Sequence, residues 1–333
     1  MKLPRRKFLQ LAVGSAALPA ALRAARAQTY PTRPVKLIVG FGPASAADVT
    51  ARILAQRLDQ TMGQQFVVEN RPGAASTIGA EYVVHAPNDG YILLLATVAN
   101  AVNATLSPDV DFDFAKDLAP IALVATLPNI LVVHPSLGVK SVQELIALAK
   151  SKPGQLSFGS AGVGTSTHLS AELFNMMAGV KIVHIPYQGS PQAVTDLLAG
   201  RVGIMFSPVS TALPHIADGK LVALASTQLK RASAAPDLPT MAELGFKDFD
   251  CGIWFGLMAP AGTPPEIINT LNRAANDALT SDQVRAALRQ QGIDTLGGSP
   301  ERFATYIGTE IKKWADVAAA AGLTPNARHG SGG

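Results

Sequence analysis

Along the chain, short apolar runs alternate with stretches whose apolar positions recur at helical spacing. Val35–Val39 is such a run, closed by Gly40-Phe41-Gly42-Pro43, and Val49–Leu58 carries a helical stripe. Phe66–Val68 predicts a second strand, ended by Asn70-Arg71-Pro72-Gly73; Ile78–His85 predicts a helix and Ile92–Leu95 a third strand. A βαβαβ rhythm of this kind predicts a parallel sheet with helices on both faces. The middle of the chain repeats it, with strands at Leu131–Val133, Leu156–Phe158, Val183–Ile185, Val202–Phe206 and Val222–Ala225. Between them, Ser141-Val142-Gln143-Glu144 is a capping box for a helix through Lys150. Thr165 opens a helix that Gly179 ends, and Ser190-Pro191 opens one that Gly200 closes. The last third holds one apolar strand, Trp254–Met258, and two helices opened at Thr263-Pro264-Pro265-Glu266 and Ser299-Pro300. Two α/β lobes are expected, the second inserted into the first: 28–128 and 252–333 for lobe 1, 129–251 for lobe 2.

Composition narrows the function classes. With 333 residues, 48% of them hydrophobic, the chain can bury two cores of ordinary size. The formal net charge is +4, yet six of the 28 basic residues (Lys2, Arg5, Arg6, Lys7, Arg23, Arg26) fall in the first 27 positions, which hold no acid. The remainder carries 22 basic against 24 acidic residues, a net of −2, which gives no electrostatic footprint for a nucleic acid. That basic start, followed by the apolar run Phe8–Leu22 and by Ala25-Arg26-Ala27, reads as an export signal cleaved after Ala27. Arg5-Arg6 before Phe8-Leu9 resembles the twin-arginine type, and the general secretory route stays open beside it. The run is too short to span a bilayer. The single cysteine, Cys251, excludes an internal disulfide.

Three strand-to-helix turns carry the candidate chemistry. Gly40-Phe41-Gly42-Pro43-Ala44-Ser45, with Glu69 ending the next strand, approximates a dinucleotide fingerprint. An exported nicotinamide-dependent oxidoreductase is therefore the rival reading. Ser45 in the third glycine position, the stiff Pro43 and the lack of an acid–base constellation count against it. Ser45-Ala46-Ala47-Asp48 instead caps a helix whose free N–H groups attract a smaller anion; a plain βα turn is the bland alternative. The second turn, Gly159 to His168, is a loop of small residues with Ser160, Thr165 and Ser166 as donors. It lacks a nucleophile elbow, since Phe158 stands where the first glycine belongs. His168 and Glu172, four apart, are too few for a metal site, and a hydrogen bond along the helix face is the better expectation; the other five histidines read as structural or surface residues. Pro186-Tyr187-Gln188-Gly189-Ser190-Pro191 is the third turn, with Tyr187 as an aromatic wall or a core tyrosine. None of the three contains Lys or Arg, so an anion between them would rest on backbone N–H groups, hydroxyls and water.

In Val68-Glu69-Asn70-Arg71-Pro72-Gly73, Asn88-Asp89-Gly90-Tyr91, Ser160 to Glu172, Ile185 to Ser190, Thr195 to Gly200, Pro239 to Glu243 and Gly256 to Pro264, the chain resembles the Bug-type extracytoplasmic solute receptors, the binding components of tripartite tricarboxylate transporters. The resemblance runs from Tyr30 onward. It implies a type II periplasmic binding fold, two lobes closing over a carboxylated ligand in a crevice, and delivery to membrane permease subunits. The reading as a whole expects a periplasmic monomer without cofactor, metal or catalytic activity; a sensory receptor of the same fold remains an alternative. Ligand contacts implied are Phe41, Gly42, Ser45, Ala46 and Asp48; Ser160, Gly164, Thr165 and Ser166; and Tyr187 and Gly189, with Thr97, Asn129 and Ser207 at other strand ends. One departure stands out: Ala44-Ser45 occupies the place of the paired glycines usual before Asp48, which should narrow the site.

Overall fold

The computed structural model describes residues 30–106 and 110–320, so the expected export segment 1–27 lies outside the described residues. The first sheet starts with β1 (Val35–Val39), buried everywhere except Lys36, as a strand covered on both faces should be. Helix α1 (Ala46–Met62) follows. Its Ala47, Ala51, Leu54, Ala55 and Leu58 form one buried stripe, in which Leu54 and Leu58 each contribute about 1.5–3 kcal/mol. Next come β2 (Phe66–Asn70), α2 (Thr77–Val84), β3 (Ile92–Thr97), α3 (Val98–Leu106) and the long β4 (Leu118–Val133). The second lobe holds α4 (Val142–Ser151), β5 (Ser157–Ser160), α5 (Ser166–Ala178), β6 (Val183–Pro186), α6 (Ser190–Leu198), β7 (Ile204–Pro208), α7 (Val209–Ala217) and β8 (Val222–Ser226). The described residues end with β9 (Gly252–Pro260), α8 (Pro265–Thr280), α9 (Asp282–Gln290), β10 (Asp294–Thr295) and α10 (Pro300–Ala320).

The sheets run in the order β2-β1-β3-β9-β4-β7-β5-β6, with β10 and β8 also paired to β4. β4 belongs to both. Leu118–Pro128 pairs with β9, whereas Asn129–Val133 pairs with β7 and, in the 130–133 stretch, with β8. The expected parallel pairing holds for β1 with β2 and β3, and for β5 with β6 and β7. β4 and β9 are antiparallel to their neighbours, because the chain passes between the lobes through them and not by a helical crossover. β4 also contains Pro120 and Pro128, and its pairing with β9 is shifted by bulges between Pro120 and Ala122 and between Leu123 and Ala125. Bulges accommodate residues that cannot donate to the ladder.

Three helices exceed the sequence expectation. α3 opens with a reciprocal cap: Thr97 N–H donates to Asn100 Oδ1 (2.9 Å) and Ala99 N–H to Thr97 Oγ1 (3.2 Å). α7 forms despite Pro214 inside it. α9 is a separate helix because Ser281 breaks from α8 into extended backbone and its Oγ then accepts from Val284 N–H. The C-terminal α10 is tied to the first sheet by Glu310, whose buried Oε2 accepts from the indoles of Trp254 (2.9 Å) and Trp314 (3.0 Å). Gly256 makes room for the helix, since a Cβ there would lie 1.9 Å from Phe303 Cζ. No helix among the described residues is long and apolar enough to cross a membrane.

Candidate ligand-binding cavity

The first strand-to-helix turn is held rigid by Asp48. Ser45 caps α1 by accepting from Asp48 N–H (3.2 Å). The Asp48 carboxylate turns back: Oδ2 accepts from Ala44 N–H (3.0 Å) and Arg52 Nε (3.0 Å), and Oδ1 from Asn70 Nδ2 (2.9 Å) and Arg52 (2.9 Å). Burial alone would raise the pKa of Asp48, but the bonds from Arg52, Asn70 and Ala44 more than offset it and hold the group below the usual range. Asn70 also donates to Phe41 O (2.8 Å), so the end of β2 clamps the same loop. Ala44 adopts φ +60°, the left-handed region that costs a non-glycine residue about 1–2 kcal/mol. Its side chain therefore stands where the family pattern puts a glycine.

The second turn rests on two stacked histidines. His168 and His184 have ring centroids 4.1 Å apart, and Phe158 lies 4.9 Å from His184. His168 Nδ1 accepts from Gly164 N–H (3.3 Å), which leaves the proton on Nε2, 3.8 Å from Glu172 Oε1. Burial, with a smaller contribution from His184, pushes the pKa of His168 down to about 3; burial takes His184 to about 4. Both are neutral at ordinary pH. The expected pairing along the helix face with Glu172 is thus too long for a hydrogen bond, and His184 is no scattered histidine but part of the loop support. Ser160 Oγ lies 2.6 Å from His184 Nε2 and accepts from Gly162 N–H (3.1 Å). Thr165 donates to Gly162 O (2.7 Å) and meets Thr167 Oγ1 at 2.8 Å, while Thr167 Oγ1 accepts from Ala161 N–H. The Thr165 side chain accepts from no backbone N–H of the first turn of α5, so it is not a side-chain cap. The Ser160–His184 contact resembles a nucleophile and its base, but Ser160 is fully buried and reaches neither cavity described next.

Where the lobes meet, a small cavity of about 50 Å³ is walled by the starts of four helices: Ala46 and Ala47 of α1, Val98 and Ala99 of α3, Ser166 and Thr167 of α5, and Ser190 of α6. The cap residues Ser45, Thr97 and Thr165 join them, with Pro208 before α7. Phe41, Ala161, and Ile253 and Phe255 from alternate positions of β9 complete the wall. First-turn N–H groups have no partner within their own helix, so these ends point donors and partial positive charge at the space. No lining residue is charged. An adjoining outer space of about 400 Å³ shares Phe41 and Ala161 and is lined by Pro72 to Ala75, Asn103, Gly162 to Gly164, Tyr187 and Gln188.

Of the residues expected at the ligand, Phe41, Ser45, Ala46, Thr97, Thr165 and Ser166 line the inner space. Gly164 and Tyr187 line the outer one. The Tyr187 hydroxyl donates to Asp196 Oδ2 (2.9 Å), and burial together with that bond raises its pKa to about 12. Gly42, Asp48, Asn129, Ser160, Gly189 and Ser207 line neither. Ser207 donates to Pro208 O (3.3 Å), Gly189 precedes α6, and the buried Asn129 donates to Ser170 Oγ (3.3 Å). Sequence reasoning missed Thr167, Ser190, Ile253 and Phe255 as wall residues. For Ser190 the helix-opening Ser-Pro was the signal; the two β9 residues gave none.

The Gly40 turn does not fit a dinucleotide. A Cβ at Gly40 would lie 2.0 Å from Ser76 Oγ, so this glycine serves a packing contact. Glu69, the residue a ribose would need, is paired with Lys36 (3.1 Å) and Arg71 (2.6 Å).

Two α/β lobes with helix N-termini converging on the space between them define a two-lobed solute-binding protein of the periplasmic type. The chain belongs to the tripartite tricarboxylate transporter family of receptors, whose family model matches residues 50–323. It is 41% identical over 293 residues to Protein BugT of Bordetella pertussis, covering 87% of this chain and 90% of BugT. Among solved structures it is similar to R. palustris Rpa4515 with adipate (38% identity, TM-score 0.86, 89% of this chain and 100% of that one). It is also similar to MatC from Rhodopseudomonas palustris with bound malate (30% identity, TM-score 0.82, 86% and 99%). The family is one of periplasmic solute-binding receptors and not of enzymes, which overturns the oxidoreductase reading.

Proposed function

We propose that this receptor captures a small carboxylate between its lobes and hands it to the membrane subunits of a tripartite tricarboxylate transporter. The observation that carries the reading is the uncharged cavity walled by the N-terminal turns of α1, α3, α5 and α6. Oriented N–H groups and hydroxyls there can replace the hydration of a carboxylate without a guanidinium. The adipate and malate in the two related structures agree with that chemistry. Direct contacts come from the first turns of these helices and from Ser45, Thr97, Ser166 and Ser190. Ser160, Asp48 and the histidine pair hold the loops behind them. The lobes are 28–128 with 252–333, and 129–251; the receptor acts as an exported monomer, with cleavage after Ala27.

A thermal-shift and calorimetry screen against mono-, di- and tricarboxylates tests the reading, because a ligand bound only by the folded state raises its melting temperature. At least one carboxylate should bind and lower the radius of gyration as the lobes close. A panel in which no carboxylate binds, or in which cations bind instead, would refute it. For export, Arg5→Lys with Arg6→Lys should leave precursor in the cytoplasm if the twin-arginine route is used; normal processing would assign the general secretory route.

A further inference from the structure

Away from the cavity, α2 carries a group of side chains that carboxylate capture does not use. Glu81 and His85 lie one turn apart at the C-terminal end of α2, His85 being its cap residue, so both stand on the same helix face. Asp111, on the link between α3 and β4, comes up against them. The sequence offers only the i, i+4 pair and leaves His85 a surface histidine; the third member arrives through the fold. One ligand atom from each of the three lies within 4.8 Å of the other two, and among the described residues no other trio of His, Cys, Asp or Glu meets in this way.

His85 Nε2 stands 3.8 Å from Asp111 Oδ1. That is too long for a hydrogen bond. It suits two ligands of one ion, since donors held about 2.0–2.2 Å from a metal sit roughly 3–4 Å from each other. His168 and Glu172 show the same separation, but no third ligand joins them among the described residues. Glu81, His85 and Asp111 are all exposed, so an ion can reach them and rotation of the side chains can close the remaining gap. Two carboxylates supply the charge that a divalent cation neutralises. The cationic neighbour is Arg71, which shares a groove with Glu81 and His85. Its guanidinium is engaged elsewhere, paired with Glu69 (2.6 Å) and lying over the Tyr82 ring (3.5 Å). The donor set decides the ion: imidazole with carboxylate and water suits zinc and its first-row neighbours, whereas magnesium and calcium take oxygen donors.

We propose that Glu81, His85 and Asp111 form a three-ligand surface site for a divalent transition ion of the zinc type, with water completing the coordination. The bound ion ties the α3–β4 link to α2. Asp111 stands just ahead of Phe114, which is buried in the hydrophobic core, so the clamp holds the stretch that enters the core there.

Calorimetry with zinc chloride on the untagged, chelator-washed receptor tests this. One equivalent of zinc should bind with a Kd that is roughly micromolar, and magnesium at the same concentration should not bind. Glu81→Ala, His85→Ala and Asp111→Asn should each weaken zinc binding roughly tenfold or more. Because the three positions are exposed, the metal-free variants should melt with the parent. Zinc should also slow amide exchange around Asp111 in the parent and not in Asp111→Asn. No zinc binding at millimolar concentration overturns the proposal. Zinc affinity unaltered by any one of the three substitutions overturns it as well, since the ion then sits elsewhere or on fewer ligands. Magnesium binding as tightly as zinc overturns the assignment of the ion.

Discussion

Acidifying the unliganded protein from pH 6.5 to pH 4.5 should lower its stability, and His168→Gln should remove much of that loss. The ring of His168 is buried beneath the second turn, and its folded pKa is pushed down to about 3 by burial and by His184. The unfolded chain takes up the proton near the ordinary histidine value of about 6.5. Stability from this group is therefore complete above pH 6.5 and falls as pH drops toward 3, because only the unfolded state binds the proton in that window. At pH 4.5 the difference amounts to about 2–3 kcal/mol. His184, pushed to about 4, acts in the same direction over a narrower window. It is only partly buried, so solvent screening makes its share smaller. Glu172, whose pKa burial raises, opposes both, since the folded state accepts its proton before the unfolded state does. Glutamine can accept the Gly164 N–H but cannot titrate, so His168→Gln isolates the proton from the hydrogen bond. Urea melts of both proteins at the two pH values supply the numbers. The variant should lose about 2 kcal/mol less than the parent on acidification. Equal losses would mean that His168 is not held neutral, and the account of the loop support would be wrong.

Four further outcomes follow from the same geometry. Asp48→Ala should cost about 1–3 kcal/mol in denaturant melts, because Ala44 N–H and Asn70 lose their acceptor, and should weaken ligand binding as the first turn loosens. Glu310→Ala should cost about 1–3 kcal/mol for each of the two indole donors it strands, visible as a lower melting temperature with Trp fluorescence shifted. Ser166→Ala and Ser190→Ala should each weaken carboxylate binding roughly tenfold while moving stability by no more than about 0.5 kcal/mol; unaltered calorimetric affinity would remove these hydroxyls from the site. Thr165→Ala should lower both stability, by about 1 kcal/mol, and affinity, because its hydroxyl ties the loop through Gly162 O and Thr167. Lost affinity at full stability would instead make Thr165 a direct ligand contact.

What the sequence alone determined is local. Apolar runs marked β1, β2, β3, β5 and β6; the starts of α1 and α4 were legible because Ser45 and Ser141 cap them, and those of α5 and α6 because Thr165 and Ser190-Pro191 are residue types that favour a helix start, rules that act within four residues. The same cues located the turns where anion-binding N–H groups gather, and the resemblance to a receptor family named the function class. β4 was legible only at Leu131–Val133; Pro120 and Pro128 cannot donate to a ladder, and its bulges and its two partner sheets absorb them. α3 was missed although Thr97 and Asn100 form a reciprocal cap, since asparagine stands where the usual box has Glu or Gln. Other facts exist only once the lobes are assembled. Ile253 and Phe255 become cavity floor because β9 lies between β3 and β4, more than a hundred residues away in the chain. His184 meets His168 and Ser160 because β6 pairs with β5 in one register, Phe158 opposite His184. That register, not any motif, turns Ser160 away from the cavity and into the support beneath it. Capping is decided by neighbours in sequence, whereas the side of a loop that faces a ligand is decided by long-range strand pairing, which no local pattern encodes.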